Sequence, residues 1–283
     1  LAGDFRIAVL SRGYGRKTRG FVLADSQTTA VTVGDEPLQY YRQLTDVKVA
    51  VCEKRAEGIR NLLHLFPDIN LIILDDAYQH RYVKPRLNVL VTTFQQPYYQ
   101  DALLPAGRLR EPVSGACRAD IIIVTKCPEL LSAEQQNNIR QKVRPVSHQQ
   151  LYFSYIRYRD LRHRKTGAVI ASDTLKGKHI LLVCGIARPE PLNEYLTSCG
   201  AIIESMYFAD HHDFSLGDAL AMLKKYKQSN AVLMVTTGKD AMRLEHPELQ
   251  QHLDRMEVYI MDIAPGFSGA NGDPADHIRQ LLK

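Results

Sequence analysis

Short apolar runs of strand length, each closed by a polar or glycine-bearing turn, recur along the whole chain and leave few folds open to it. One series comprises residues 5–10 (FRIAVL), 30–33 (AVTV), 47–52 (VKVAVC), 71–74 (LIIL), 87–92 (LNVLVT) and 120–125 (DIIIVT). A second comprises 179–184 (HILLVC), 202–208 (IIESMYF), 231–236 (AVLMVT) and 258–263 (VYIMDI). Runs that are apolar throughout, not at every second position, mark strands buried on both faces, as parallel strands are. Helical patterns lie between them. Residues 53–66 set Ile59, Leu62, Leu63 and Phe66 on one face, Ser132 is placed as an N-cap, and 215–226 align Leu216, Leu220 and Leu223. The alternation predicts an α/β fold of two α/β/α sandwich lobes with mainly parallel sheets. The lobes are expected at 1–150 and 177–283. Residues 151–176 then form a two-stranded linker in which 151–161 pairs with 167–173. The tail from 264 is expected to turn at its glycines and end in a short helix.

A chain of 283 residues can bury a sizeable core, and no apolar run in it reaches the ~18 residues of a membrane span. It shows no signal peptide, and Leu1 runs almost directly into a strand, the pattern of a chain missing its beginning. The five cysteines form no C-x-x-C pair and have no histidine at zinc-finger spacing, which suits reduced thiols in a cytosolic setting. The net charge is only +5, but arginines cluster at 12, 16 and 19, at 108 and 110, and at 157, 159, 162 and 164. Such clusters suit anionic, phosphorylated ligands, or else are solvated loop charge. No basic stripe with interleaved aromatics is present, so nucleic acid is not an expected partner.

Ligands of open parallel sheets bind beyond the carboxyl ends of the strands, and the polar segments fall there. They are SRGYGR, GDEP, EKR and DDAYQH in the first half, and GIARPEP, FADHHDF and TTGKD in the second. Asp75 and Asp76 leave a strand side by side; carboxylates ~4 Å apart repel by ~4 kcal/mol at an effective dielectric of 20. Either Mg²⁺ with water and phosphate oxygens holds them, or one merely caps the following turn. Gln79 belongs to the same turn. Asp35 has two readings, an N-cap of a helix with Pro37 in its first turn, or a base taking a proton from a substrate hydroxyl. In FADHHDF, a histidine supports a carboxylate base, or Asp210 or Asp213 caps a helix. Arg108, Arg110 and Glu111 in LLPAGRLREP read as phosphate contacts or as loop decoration.

SRGYGRKTRG is not a phosphate-binding P-loop. That motif needs glycine immediately before its lysine, whereas Arg16 precedes Lys17, and Ser11 stands where its first glycine belongs. No other segment fits it.

VLSRGYGRKTRG, GDEP, IILDDAYQH, LLPAGRLREP, FADHHDF and TTGKD, in this order, resemble the tetraacyldisaccharide 4'-kinases, the lipid A 4'-kinase family of Gram-negative bacteria. RKTRGFVLADS, HRYVKP and QQLYFSYIRY resemble its Bacteroidetes branch. The resemblance spans about residues 5–245 and is loose beyond. It implies a P-loop-kinase-like fold and ATP- and Mg²⁺-dependent transfer of phosphate to the 4'-hydroxyl of an acylated glucosamine disaccharide 1-phosphate. It also implies peripheral association with the cytoplasmic face of the bacterial inner membrane. By motif, Asp35 is similar to the catalytic base and is paired with His211 in preference to His212. Asp75, Asp76 and Gln79 match the metal-associated segment, and Arg12, Arg55, Arg110 and Glu111 fall on substrate or phosphate positions.

Two departures stand out. The family's P-loop and membrane-associating helix precede LSRGYG and are absent from these residues, so the expectation is an N-terminally truncated form, weakly active or inactive. Gly238 replaces the glutamate of the usual T-T-E-K-D. The competing expectations are a metal-dependent phosphoesterase, from the paired aspartates and the DHH, and a non-catalytic remnant that binds anionic lipid.

Overall fold

A computed structural model of the chain describes residue 1 and residues 3–269 and 271–282; Ala270, in the glycine-bearing tail, lies outside the described residues. In chain order the first part runs β1 (Ile7–Ser11), β2 (Val22–Leu23), α1 (Ala30–Val33), α2 (Asp35–Gln43), β3 (Lys48–Val51), α3 (Arg55–Leu65) and β4 (Leu71–Leu74). Its sheet has the order β2-β3-β1-β4 and is parallel except at β2. Strand parity sorts the core. Ala8, Leu10, Ala50 and Cys52 pack with Leu62 of α3, while Val9 and Val49 meet Tyr40 and Tyr41 of α2 on the other face.

The second part runs β5 (Val89–Thr93), β6 (Ile121–Thr125), α4 (Ala133–Val143), β7 (Gln150–His163), β8 (Val169–Ile170), β9 (His179–Cys184), α5 (Glu190–Ser198), β10 (Ile202–Tyr207), α6 (Leu216–Gln228), β11 (Leu233–Thr237), α7 (Gly238–Arg243), α8 (Pro247–Leu253), β12 (Val258–Ser268) and α9 (Ala275–Leu282). Its sheet has the order β10-β9-β11-β12-β7-β6-β5, with β8 on the side of β7. Leu181 and Val183 face a core that includes Met222 and Leu223 of α6 and Leu249 and Leu253 of α8. Ile180, Leu182 and Cys184 face Leu192 and Leu196 of α5. Helices therefore cover both faces, as continuous apolar strands require. Capping boxes at Ser132 and Ser215 start α4 and α6.

Three expectations change. AVTV is a single helical turn, not a strand, because the Thr32 hydroxyl accepts from the Thr29 N–H (3.0 Å) and donates to the Thr29 carbonyl (2.8 Å). That local back-bonding wins over β-branched propensity, and GDEP consequently follows a helix. The long partner of β7 is β12, from Tyr259 opposite His163 to Ser268 opposite Phe153; β8 matches only Leu161 and Arg162 before a 3₁₀ turn intervenes. Finally, the start of β7 also pairs with β6, so one sheet runs across residue 150 and carries β5 and β6 with the second half.

Candidate active site

The site forms where the carboxyl ends of β1, β3 and β4 meet loops after β9, β10 and β11. Helix α2 crosses this junction and packs on α7. Its cap is Gly34, at φ 94° and ψ 160°, and a Cβ there would come within 2.7 Å of the Tyr14 carbonyl. A residue without Cβ is what lets the loop after β1 close over the start of α2. Asp35 is thus the first helical residue and not the N-cap, and its carboxylate makes no cap bond.

That carboxylate points across to the second half. Arg243 Nε and Nη2 both donate to Asp35 Oδ2, at 3.0 and 2.7 Å, and His211 Nδ1 lies 3.6 Å from the same oxygen. Asp35 Oδ1 has no hydrogen-bond partner among the described residues. Arg243 Nη2 is also 3.0 Å from His211 Nδ1. At its other edge Arg243 Nη1 donates to the Gly185 carbonyl (3.2 Å) and to Asp240 Oδ1 (3.3 Å). Asp240 is fully buried and takes the Gly185 N–H (3.0 Å) and the Thr237 hydroxyl (2.8 Å) on Oδ2. Burial pushes its carboxyl upward, against the pull of those donors and of Arg243. His212 faces elsewhere, its Nε2 3.0 Å from Asp218 Oδ2 and its ring stacked on Phe208. Neither Asp210 nor Asp213 caps α6; Ser215 does.

Tyr40 carries α2 to the second cluster. Its hydroxyl is 3.4 Å from Asp75 Oδ1, and burial, then Asp75 and Glu36, drive the phenol above its usual range. Burial pushes the Asp75 carboxyl up as well, helped by Glu36 and Asp76 and opposed by the Ser11 hydroxyl. Asp76, next along, is exposed and held at φ 43°. Arg55 is buried beneath, donating from Nη1 to the Cys52 carbonyl (2.7 Å) and from Nη2 to the Asp75 carbonyl (3.2 Å), with Nε left without a partner among the described residues. Burial pulls its guanidinium down from its usual value, and the nearby Arg12 adds to this. Two adjacent carboxylates set between arginines fit a Mg²⁺ that keeps water and phosphate oxygens as its remaining ligands, the way Mg²⁺ usually binds, rather than an all-protein cage. Gln79 and Arg12 are exposed, and neither side chain bonds another described residue. His80 lies at the same end near Arg55, its Nε2 buried and without a partner among the described residues.

The 103–112 loop joins through Glu111. Its carboxylate accepts from Arg118 (2.8 and 3.0 Å) and from Arg81 (2.8 Å), which follows DDAYQH directly. The Arg118 hydrogen bond, opposed by desolvation and joined by Arg81, holds the carboxyl below the usual range. Arg110 stays exposed. Gly238, where the family motif has glutamate, starts α7; a Cβ there would lie 2.9 Å from Asp262 Oδ1, the carboxylate that the β12 bulge turns toward Arg162.

Sequence reasoning missed Arg243, the group that touches both Asp35 and His211. Its one signal is its place three residues after the buried Asp240, on the same helical face.

The architecture is that of a two-lobed α/β kinase. Superposition on the crystal structure of LpxK from Aquifex aeolicus, solved in complex with ATP, gives a TM-score of 0.70 over 99% of this chain and 79% of that one, at 23% identity. The sequence profile of tetraacyldisaccharide-1-P 4'-kinase matches residues 1–282, well past the 245 expected from motifs alone, and the chain belongs to that family. Tetraacyldisaccharide 4'-kinases of Phocaeicola vulgatus and Parabacteroides distasonis are 40% and 44% identical over 94% and 93% of this chain, and over 75% and 73% of their own lengths.

Proposed function

We propose that this chain transfers the γ-phosphoryl group of ATP to the 4'-hydroxyl of a tetraacylated glucosamine disaccharide 1-phosphate. The acceptor hydroxyl oxygen attacks the γ-phosphorus, the bond to the ADP oxygen breaks, and Asp35 Oδ1 receives the hydroxyl proton. The observation that carries this reading is the asymmetry of Asp35, with Oδ2 anchored from the second half and Oδ1 without a partner among the described residues. His211 lies beside the pair and supports it electrostatically. Asp75 and Asp76, with Gln79 in the same turn, are the residues that would hold Mg²⁺, which would supply charge neutralisation of the phosphates. Arg12, Arg55 and Arg110 serve phosphate groups, and Glu111 aligns the loop that bears Arg110.

The family membership and the ATP complex of the Aquifex aeolicus relative support ATP as donor. We further propose peripheral association with the cytoplasmic face of the inner membrane; no helix among the described residues is long and apolar enough to cross a bilayer. The family membership favours the kinase reading over a two-metal phosphoesterase.

The test is Asp35→Asn in the full gene product, assayed for phosphate transfer from ATP to the lipid acceptor. Turnover is expected to fall by at least ~10²-fold with both substrates still bound. Near-normal turnover removes Asp35 as the base.

A further inference from the structure

We infer that Arg243 is a positioning residue of the reaction, fixing both the Asp35 carboxylate and the His211 tautomer from the far side of the junction. The inference rests on Asp35 acting as base. A carboxylate on a helix end rotates about two side-chain bonds, and either oxygen can be offered to a substrate. Here Nε and Nη2 of Arg243 converge on Oδ2 alone, at 3.0 and 2.7 Å, so Oδ1 is the oxygen presented.

The same Nη2 lies 3.0 Å from His211 Nδ1. A guanidinium has only donors, so this contact is a hydrogen bond only when Nδ1 accepts, which puts the imidazole proton on Nε2. His211 and Asp35, 3.6 Å apart, are then linked through Arg243 and not directly. The histidine backbone is fixed as well, at φ 60° with its N–H on the Gly185 carbonyl (3.2 Å).

The arginine can orient others because it is itself immobile. Its side chain is only 6% exposed, and the Asp240–Gly185–Thr237 group holds its opposite edge. A planar fork held at one edge directs the other edge along a fixed line, which an ammonium on a flexible stem does not do. An arginine packed there for stability alone would need the Asp240 contact but would have no reason to avoid Oδ1.

The test is a double-mutant cycle in the full gene product. Arg243→Met is expected to lower kcat by about 10- to 100-fold, the cost of a misdirected reacting group. KM for ATP and lipid should move by no more than about threefold. In the Asp35→Asn background the same substitution should cost almost nothing further, because the group it orients is already gone. Losses that multiply across the cycle, or a rise in KM at unchanged kcat, overturn the assignment. If Asp35→Asn itself keeps its turnover, the base reading fails and takes this inference with it; if Asp35→Asn loses turnover while the losses multiply across the cycle, the inference alone fails. If Arg243→Met does not fold, Arg243→Lys takes its place in the cycle; it retains a charge against Asp240 and should still lose kcat. Independently, ¹⁵N chemical shifts of His211 in the wild-type protein should show protonated Nε2 and accepting Nδ1. The opposite tautomer overturns the bridge.

Discussion

Asp35 and Asp75 are carboxylates on the two sides of helix α2, and the protein treats them in opposite ways. Asp35 is gripped through one oxygen by an arginine that a buried aspartate, a carbonyl and a histidine hold in turn. Asp75 has a long 3.4 Å contact from the Tyr40 hydroxyl, and it stands beside further negative charge from Glu36 and Asp76. Beneath it a buried guanidinium nitrogen has no partner among the described residues. The first arrangement fixes a direction, as proton transfer needs. The second holds groups left for cations and phosphates to satisfy in the reaction proposed above. Preorganised dipoles and charges at the first end need no rearrangement during reaction. At the second end, repulsion from Glu36 and Asp76 on Asp75 is what a bound cation would relieve.

The largest effect that tests this contrast is at Asp240. Asp240→Ala would leave Arg243, the Gly185 N–H and the Thr237 hydroxyl facing a cavity, and breaking a buried pair from one side costs ~3–5 kcal/mol. Urea unfolding is expected to show a loss of that order. A loss below ~1 kcal/mol would mean that the Asp35 end is no more rigidly built than the Asp75 end.

Glu111 sharpens the contrast, since it lies at the ligand end yet is held like Asp35. Its carboxyl is depressed by Arg118, so it contributes stability that is fully present above the ordinary carboxylate value and is lost as pH falls through the depressed one. Glu111→Gln should therefore cost ~1 kcal/mol at neutral pH. The gap to wild type should close in acid. A gap independent of pH would show that shape, and not charge, ties the 103–112 loop to Arg81.

Much of this was written in the sequence, and the gaps have identifiable causes. Continuous apolar runs such as 179–184 and 120–125 announce parallel strands because burial on both faces admits no polar alternation. AVTV misled because four β-branched or small residues carry no information about the Thr32 hydroxyl closing a turn on Thr29. The pairing of β7 with β12 joins residues about a hundred positions apart, and local spacing suggested the nearer 167–173 instead. At the site, Asp35, Asp75 and the histidine pair were legible as polar residues at element ends. Arg243 was not, because its meaning depends on a contact with Asp35 across the whole fold.

The smallest expected change in stability is also the one that separates the two ends most cleanly. Asp76 is exposed and sits at φ 43°, a conformation that an L side chain adopts at a cost and glycine does not. It stands beside the half-buried Asp75 and adds to the charge pressing on it. Asp76→Gly removes both the backbone strain and the repulsion, while adding back some chain entropy on unfolding. Unfolding free energy should stay level or rise by up to ~1 kcal/mol, while phosphate transfer falls steeply through loss of one of the two carboxylates assigned to Mg²⁺. Urea denaturation and a turnover assay on the same preparation decide it. Were stability and turnover to fall together, Asp76 would be holding the fold, as the groups around Asp35 do, and the two clusters beside α2 would no longer differ in kind.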